Sequence, residues 1–140
     1  MTETFAKQSI SHETAQKMVA AAVAKATALG IPQVVAVLDE SGLLKAFCRM
    51  DGAALVSIDV AQNKAYTALF GMPSQDFYNF IKDDPALLAG APHIPRIVLF
   101  GGGLPIKVGD KVVGGIGVSG GSVEQDVACA QAGLDILTAG

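Results

Sequence analysis

The stretch Phe100–Ser122, FGGGLPIKVGDKVVGGIGVSGGS, constrains the fold more than any other. It carries nine of the sixteen glycines in a 140-residue chain. Two β-branched runs, Leu104–Val108 and Lys111–Val118, flank Gly109-Asp110. A two-residue link in which glycine supplies a positive φ predicts a tight hairpin. The second run leads through Ser119-Gly120-Gly121 into Ser122-Val123-Glu124-Gln125. There Ser122 can accept from an amide of the first turn while Gln125 reaches back, the reciprocal pattern that starts a helix. The expected product is a hairpin, a glycine hinge and a helix N-terminus with open N–H groups suited to a carboxylate or phosphate. The same glycines also serve tight turns and close packing.

The rest of the chain must cover this hairpin. Ser11 is a candidate N-cap, and Ala15, Met18, Val19, Ala22, Val23, Ala26 and Leu29 form one helical stripe that Gly30 and Pro32 end. Gln33–Leu38 and Leu43–Met50, around Asp39-Glu40-Ser41-Gly42, predict a second hairpin. A helix from Leu55 to Phe70 shows Leu55, Ile58, Ala61 and Ala65 on its apolar face and Asp59, Gln62, Asn63 and Tyr66 on its polar face. Ser74 caps a short helix, Gln75–Lys82, that carries Phe77, Tyr78 and Phe80. Residues 84–95 read as irregular, Arg96–Phe100 as another strand, and Val123–Leu137 as the closing helix. The fold class is α/β in the broad sense (α+β). We expect a five-stranded antiparallel sheet flanked by helices on both faces, as one domain, 1–140, with a polar arm at 1–10.

Composition narrows the function. Charged residues are only 16% of the chain and hydrophobic ones 51%. A skin this poor in charge implies a homo-oligomer. A net charge of −3 without a basic cluster argues against nucleic acid. The longest apolar run, Met18–Ala24, is too short to span a membrane. Cys48 and Cys129 lie far apart and read as two buried thiols of a reducing compartment. With no apolar signal core near the N-terminus, the expected location is the cytoplasm.

Familiar motifs fail on inspection. Gly117-Val118-Ser119-Gly120-Gly121 fits the nucleophile-elbow pattern, yet no histidine follows Ser119 to act as base. Gly115 to Gly120 fits G-x-G-x-x-G, but no further strand with an acidic residue follows the helix. Zinc needs several ligands, and His12 and His93 have no paired spacing. A single imidazole can still serve haem iron as an axial ligand. No residue pattern identifies a reaction or a catalytic residue.

Several pieces together resemble the GlcG/HbpS-like family, which includes the C-terminal domain of PduO-type corrinoid adenosyltransferases. They are residues 37–42 (VLDESG), 47–53 (FCRMDGA), 57–68 (SIDVAQNKAYTA), 101–106 (GGGLPI) and 114–121 (GGIGVSGG), followed by Glu124-Gln125-Asp126. The likeness spans Ser11 to Leu137. It implies a profilin-like sheet between helices, homo-oligomers from tetramer to octamer, and binding, degradation or sensing of haem or a related tetrapyrrole. It also implies an axial histidine near the first helix, the region of His12.

On that reading His12 or His93 meets iron, and Arg49, Lys64 or the Gly120-Gly121-Ser122 amides meet the propionates. An alternative is an accessory protein or enzyme of small organic acid catabolism, with Asp51, Asp59, Lys64, Ser119 and the glycine-rich turn holding a carboxylate. In a third, purely structural reading, Asp59 and Lys64 pair across subunits.

Overall fold

A computed structural model describes residues 2–137. Met1 and residues 138–140 of the expected domain lie outside the described residues. Helix α1 is His12–Leu29; the Ser11 hydroxyl accepts from the Thr14 amide at 3.1 Å, and Gly30 closes the helix in the left-handed region at φ 74°. Strands β1 (Val34–Asp39) and β2 (Leu44–Arg49) form the first hairpin. Asp39 Oδ1 fixes its turn by accepting from the amides of Ser41 and Leu43 at 2.9 and 3.0 Å. Strands β3 (Gly103–Val108) and β4 (Lys111–Ser119) form the second hairpin, turning at Gly109 with φ 63°.

The two hairpins join through β1 and β4, giving an antiparallel sheet of order β2-β1-β4-β3. Alternation then decides what each face meets. Val35, Val37, Ile106, Ile116 and Val118 point to one face. There they pack on Ala15, Met18, Ala22 and Ala26 of α1 and on Cys129 and Ala130 of α5 (Val123–Leu134). The small residues of α1 let it lie close to the sheet, as its stripe predicts.

The other face is nearly bare. Val34 and Ala36 meet Ala61 of α2 (Ser57–Ala68), and β4 sets Gly117 and Gly115 beside Ala36 and Leu38. A Cβ added at Gly117 or Gly115 would fall on the carbonyl oxygen of Ala61 or Ala65. Helix α2 therefore rests backbone to backbone on the sheet, which only glycine permits. The buried stripe of α2 includes Ala61, Lys64, Ala65 and Ala68, and Leu55 is exposed ahead of the helix.

The sheet has four strands, not the expected five. Arg96–Phe100 is apolar enough for a strand, but other partners take its hydrogen bonds. Arg96 sits at φ 71°, which breaks the extended run. The Val98 amide donates to Thr67 Oγ1 at 2.9 Å, and Ser74 Oγ donates to the Phe100 carbonyl at 2.7 Å. Side chains of α2 and of α3 (Ser74–Ile81) thus replace a ladder.

The irregular stretch after α3 holds one more helix, α4 (Pro85–Gly90). Asp84 caps it by accepting from the Ala86 and Leu87 amides at 3.0 and 3.1 Å. Of the α3 aromatics, Phe77 packs inward with Ile81, while Tyr78 and Phe80 face outward. Among the described residues no helix is long and apolar enough to cross a membrane.

Candidate functional site

The candidate residues fall at opposite ends of the sheet. Val34 pairs with Arg49 on one side and Ser119 on the other, so these two share a row at one end. Asp51 and Gly120 to Ser122 continue from that row, and Ser119 Oγ lies 3.2 Å from Ser57 Oγ at the start of α2. His12 starts α1, whose 18 residues span about 27 Å at 1.5 Å per residue. Its end of the sheet is the other one, where the Ile10 amide donates to the Val113 carbonyl at 3.0 Å. Within one chain, His12 and the expected propionate partners Arg49, Gly120, Gly121 and Ser122 do not converge. His93 is exposed, at the end of a 3-10 turn after α4.

At the glycine end the chain fills its own anion seat. Lys64 Nζ donates to Asp126 Oδ2 and to the Val118 carbonyl, both at 2.9 Å, with 1% and 4% of the two side chains exposed. Asp126 Oδ1 accepts from the Gly121 amide at 3.0 Å. The Phe100 ring lies over the ammonium, 5.1 Å from Nζ to the ring centroid. Room for the lysine comes from Gly102, where an added Cβ would stand 2.7 Å from Nζ. Burial pushes the Lys64 ammonium below its usual 10.5, an effect the Asp126 carboxylate opposes.

The predicted capping box is present. Gln125 N donates to Ser122 Oγ at 3.2 Å, and Ser122 N donates to Gln125 Oε1 at 2.9 Å. The expectation of open amides here is corrected: Gly121 and Ser122 already donate to Asp126 and Gln125. Lys64 is corrected too. It is neither presented to a ligand nor paired with Asp59 across subunits, because Asp126 of its own chain neutralises it; Asp59 is exposed. Sequence reasoning gives Asp126 no role beyond its place in the Glu124-Gln125-Asp126 pattern of the resemblance. The signal for Lys64 was its place on the Ala61–Ala65–Ala68 stripe, opposite glycines.

The His12 end is open. Here Lys7 forms an ion pair with Glu40 at 3.0 Å and donates to Ser41 Oγ at 3.1 Å. Hydroxyls of Ser41 and Ser9, then Lys7, lower the Glu40 carboxyl from 4.5 to about 2. A groove of about 420 Å³ runs along the foot of α1, lined by Ile10, Ser11, Thr14, Val108, Val113 and Leu137. His12 stands between Ser11 and Thr14 in sequence, is exposed, and joins no cluster of three metal-ligating side chains among the described residues.

Residues 10–135 match the family described as haem-degrading protein HbpS-like. The chain belongs to the HbpS-like family. Among its relatives is an uncharacterised 15.0 kDa protein from the dhaT-dhaS intergenic region of Citrobacter freundii. It is 39% identical over 92% of each chain. The corrinoid adenosyltransferase PduO of Salmonella typhimurium is 33% identical over 94% of this chain, which spans only 40% of PduO.

Two solved structures share the HbpS-like fold over nearly their whole length. Klebsiella pneumoniae protein ORFY superposes with a TM-score of 0.92 at 36% identity, covering 99% of this chain and 97% of that one. The PduOC:haem complex superposes with a TM-score of 0.84 at 34% identity, covering 90% and 93%.

Proposed function

We propose that this chain binds haem, with the His12 imidazole as axial ligand, and that it works as a homo-oligomer of four to eight copies. The likeness to the PduOC:haem complex over nine-tenths of the chain carries this reading. The donors fit. Cys129 is buried and its thiol is pushed up by burial, and Met50 Sδ accepts from the Gln33 amide at 3.4 Å. His12 and His93 are the exposed imidazoles, and of the two His12 stands in sequence between Ser11 and Thr14, which line the groove at the foot of α1 together with Ile10, Val108, Val113 and Leu137. When bound, haem supplies a redox-active iron, while the protein supplies the axial nitrogen and an apolar wall.

Oligomerisation follows from the skin. Leu43, Leu55, Val56, Phe70 and Phe80 are each more than 60% exposed. In such an assembly Arg49 of one copy meets a haem held by His12 of another, which the 27 Å separation along α1 forbids within one chain (about 1.5 Å per residue). The free thiols of Cys48 and Cys129 suit the cytoplasm.

The test is a hemin titration of wild type, His12→Ala and His93→Ala, followed at the Soret band. A shifted band in wild type and His93→Ala, lost in His12→Ala, supports the proposal. A band that survives His12→Ala refutes His12 as ligand, and no shift in any of the three refutes haem binding.

A further inference from the structure

Strand β2 turns one face to solvent. Cys48 and Ala46 pair with Val35 and Val37 and pack with them on the α1 face. Phe47 and Arg49 pair with Ala36 and Val34, so alternation sends their side chains to the opposite face. Leu44, paired with Leu38 two residues beyond Ala36, emerges there as well. Helix α2 packs over β1, β4 and β3 on that face, and β2 lies at the edge of the sheet. Leu44 and Phe47 are left 51% and 37% exposed, and Arg49 is exposed too. Phe47 joins none of the apolar clusters of the described residues, and among those residues Arg49 has no ion pair or side-chain hydrogen bond.

This edge is poorly suited to a further strand. The register slips between Val37 and Leu38, and Lys45 falls at that slip, between the paired residues Leu44 and Ala46. A bulge and an exposed lysine both blunt an edge against strand addition. The open face suits a small flat acid instead. Phe47 offers an aromatic ring, and Arg49 offers a guanidinium about 7 Å further along the same face. Lys45 and Arg49 are the only charged residues of the strand, so nothing on it repels an anion. A guanidinium grips a carboxylate through two parallel N–H donors, and a phenyl ring stacks on another π-system.

We propose that Leu44, Phe47 and Arg49 form a shelf for the macrocycle of a tetrapyrrole, with Phe47 stacked on it and Arg49 holding a propionate. The inference rests on the haem reading and deepens it: where Arg49 meets a propionate, Phe47 and Leu44 are the apolar floor that the same strand supplies. The axial nitrogen still comes from His12 of another copy. The shelf therefore sets affinity and orientation, not iron ligation.

The experiment is a pair of Soret titrations, one with hemin and one with hemin dimethyl ester, which has no free carboxylate. The proteins are wild type, Phe47→Ala, Arg49→Gln and, as a charge control, Lys107→Gln on the opposite edge strand. None of the three side chains is buried, and circular dichroism checks folding. Arg49→Gln is expected to weaken hemin binding about tenfold and to leave ester binding unchanged. Phe47→Ala is expected to weaken both about tenfold. The bound band keeps its wild-type position in every protein, because His12 still ligates iron. Sedimentation without haem is expected to give all four the same mass.

Wild-type hemin affinity in both Phe47→Ala and Arg49→Gln overturns the shelf and leaves the haem reading standing. A loss that Lys107→Gln shares, or that Arg49→Gln shows equally with the ester, reflects general charge attraction and overturns it as well. An altered mass in Phe47→Ala or Arg49→Gln gives this face to a protein contact, again overturning the shelf. A wild type with no Soret shift overturns the haem reading and the shelf together.

Discussion

Replacing Lys64 by Met should reveal how tightly one ion pair clamps the molecule. Lys64 comes from α2 on one face of the sheet and Asp126 from α5 on the other, and they meet around its end at 2.9 Å. With Lys64→Met, Asp126 keeps only its bond from the Gly121 amide and becomes a buried, uncompensated charge. Loss of one partner of such a pair costs about 3–5 kcal/mol. Whole domains have only about 5–15 kcal/mol to lose. Asp126→Leu strands the ammonium and should cost about the same.

The double variant Lys64→Met/Asp126→Leu leaves only the Val118 carbonyl and the Gly121 amide short of a partner, at about 1–3 kcal/mol each. It should therefore fall well short of the sum of the singles, with a coupling of about 3 kcal/mol. The assay is urea unfolding followed by circular dichroism. With a slope near 2 kcal/mol per molar, each single variant should lower the midpoint by about 2 M.

The pH dependence adds a sign. The folded-state pKa of Lys64 is depressed, so between it and 10.5 the unfolded chain holds the extra proton. The Lys64 contribution to stability therefore rises with pH across that window. Lys64→Met should remove the slope. Strictly additive single variants, or a Lys64→Met protein as stable as wild type, would refute the clamp.

Other perturbations test the fold and the arm. Gly117→Ala places a methyl on the Ala61 carbonyl and should destabilise by about 3 kcal/mol or more. Gly90→Ala, where an added Cβ meets nothing within 4 Å, should be neutral or slightly stabilising by thermal melt. Glu40 has a folded pKa lowered to about 2, so its contribution is complete above 4.5 and lost as pH falls toward 2. Melting temperatures of Glu40→Gln should accordingly lack the part of the acid dependence that wild type shows in that window.

Much of this architecture is legible in local chemistry. The hairpin turns at Asp39–Gly42 and Gly109-Asp110, the Gly30 stop and the Ser122–Gln125 box each depend on a few adjacent residues. What escapes depends on distant ones. Arg96–Phe100 has strand composition, but Thr67 and Ser74, far along the chain, take its amides and carbonyls. Lys64 looks like a solvated lysine until the glycines opposite it and Asp126, 62 residues later, are brought to it. The glycine-rich turn reads as an anion seat, and one of its amides, that of Gly121, is indeed aimed at a carboxylate, but that carboxylate, Asp126, belongs to the chain. His12 and Arg49 both lie at element ends, and only the sheet topology shows that these ends are opposite.

Haem ligation by His12 is tested without ambiguity by chemical rescue. His12→Gly protein is mixed with hemin, and imidazole is then added while the Soret band is recorded. The expected result is a weak, free-hemin-like band that imidazole converts to the wild-type spectrum on the protein. A wild-type spectrum in His12→Gly before any imidazole is added would contradict it.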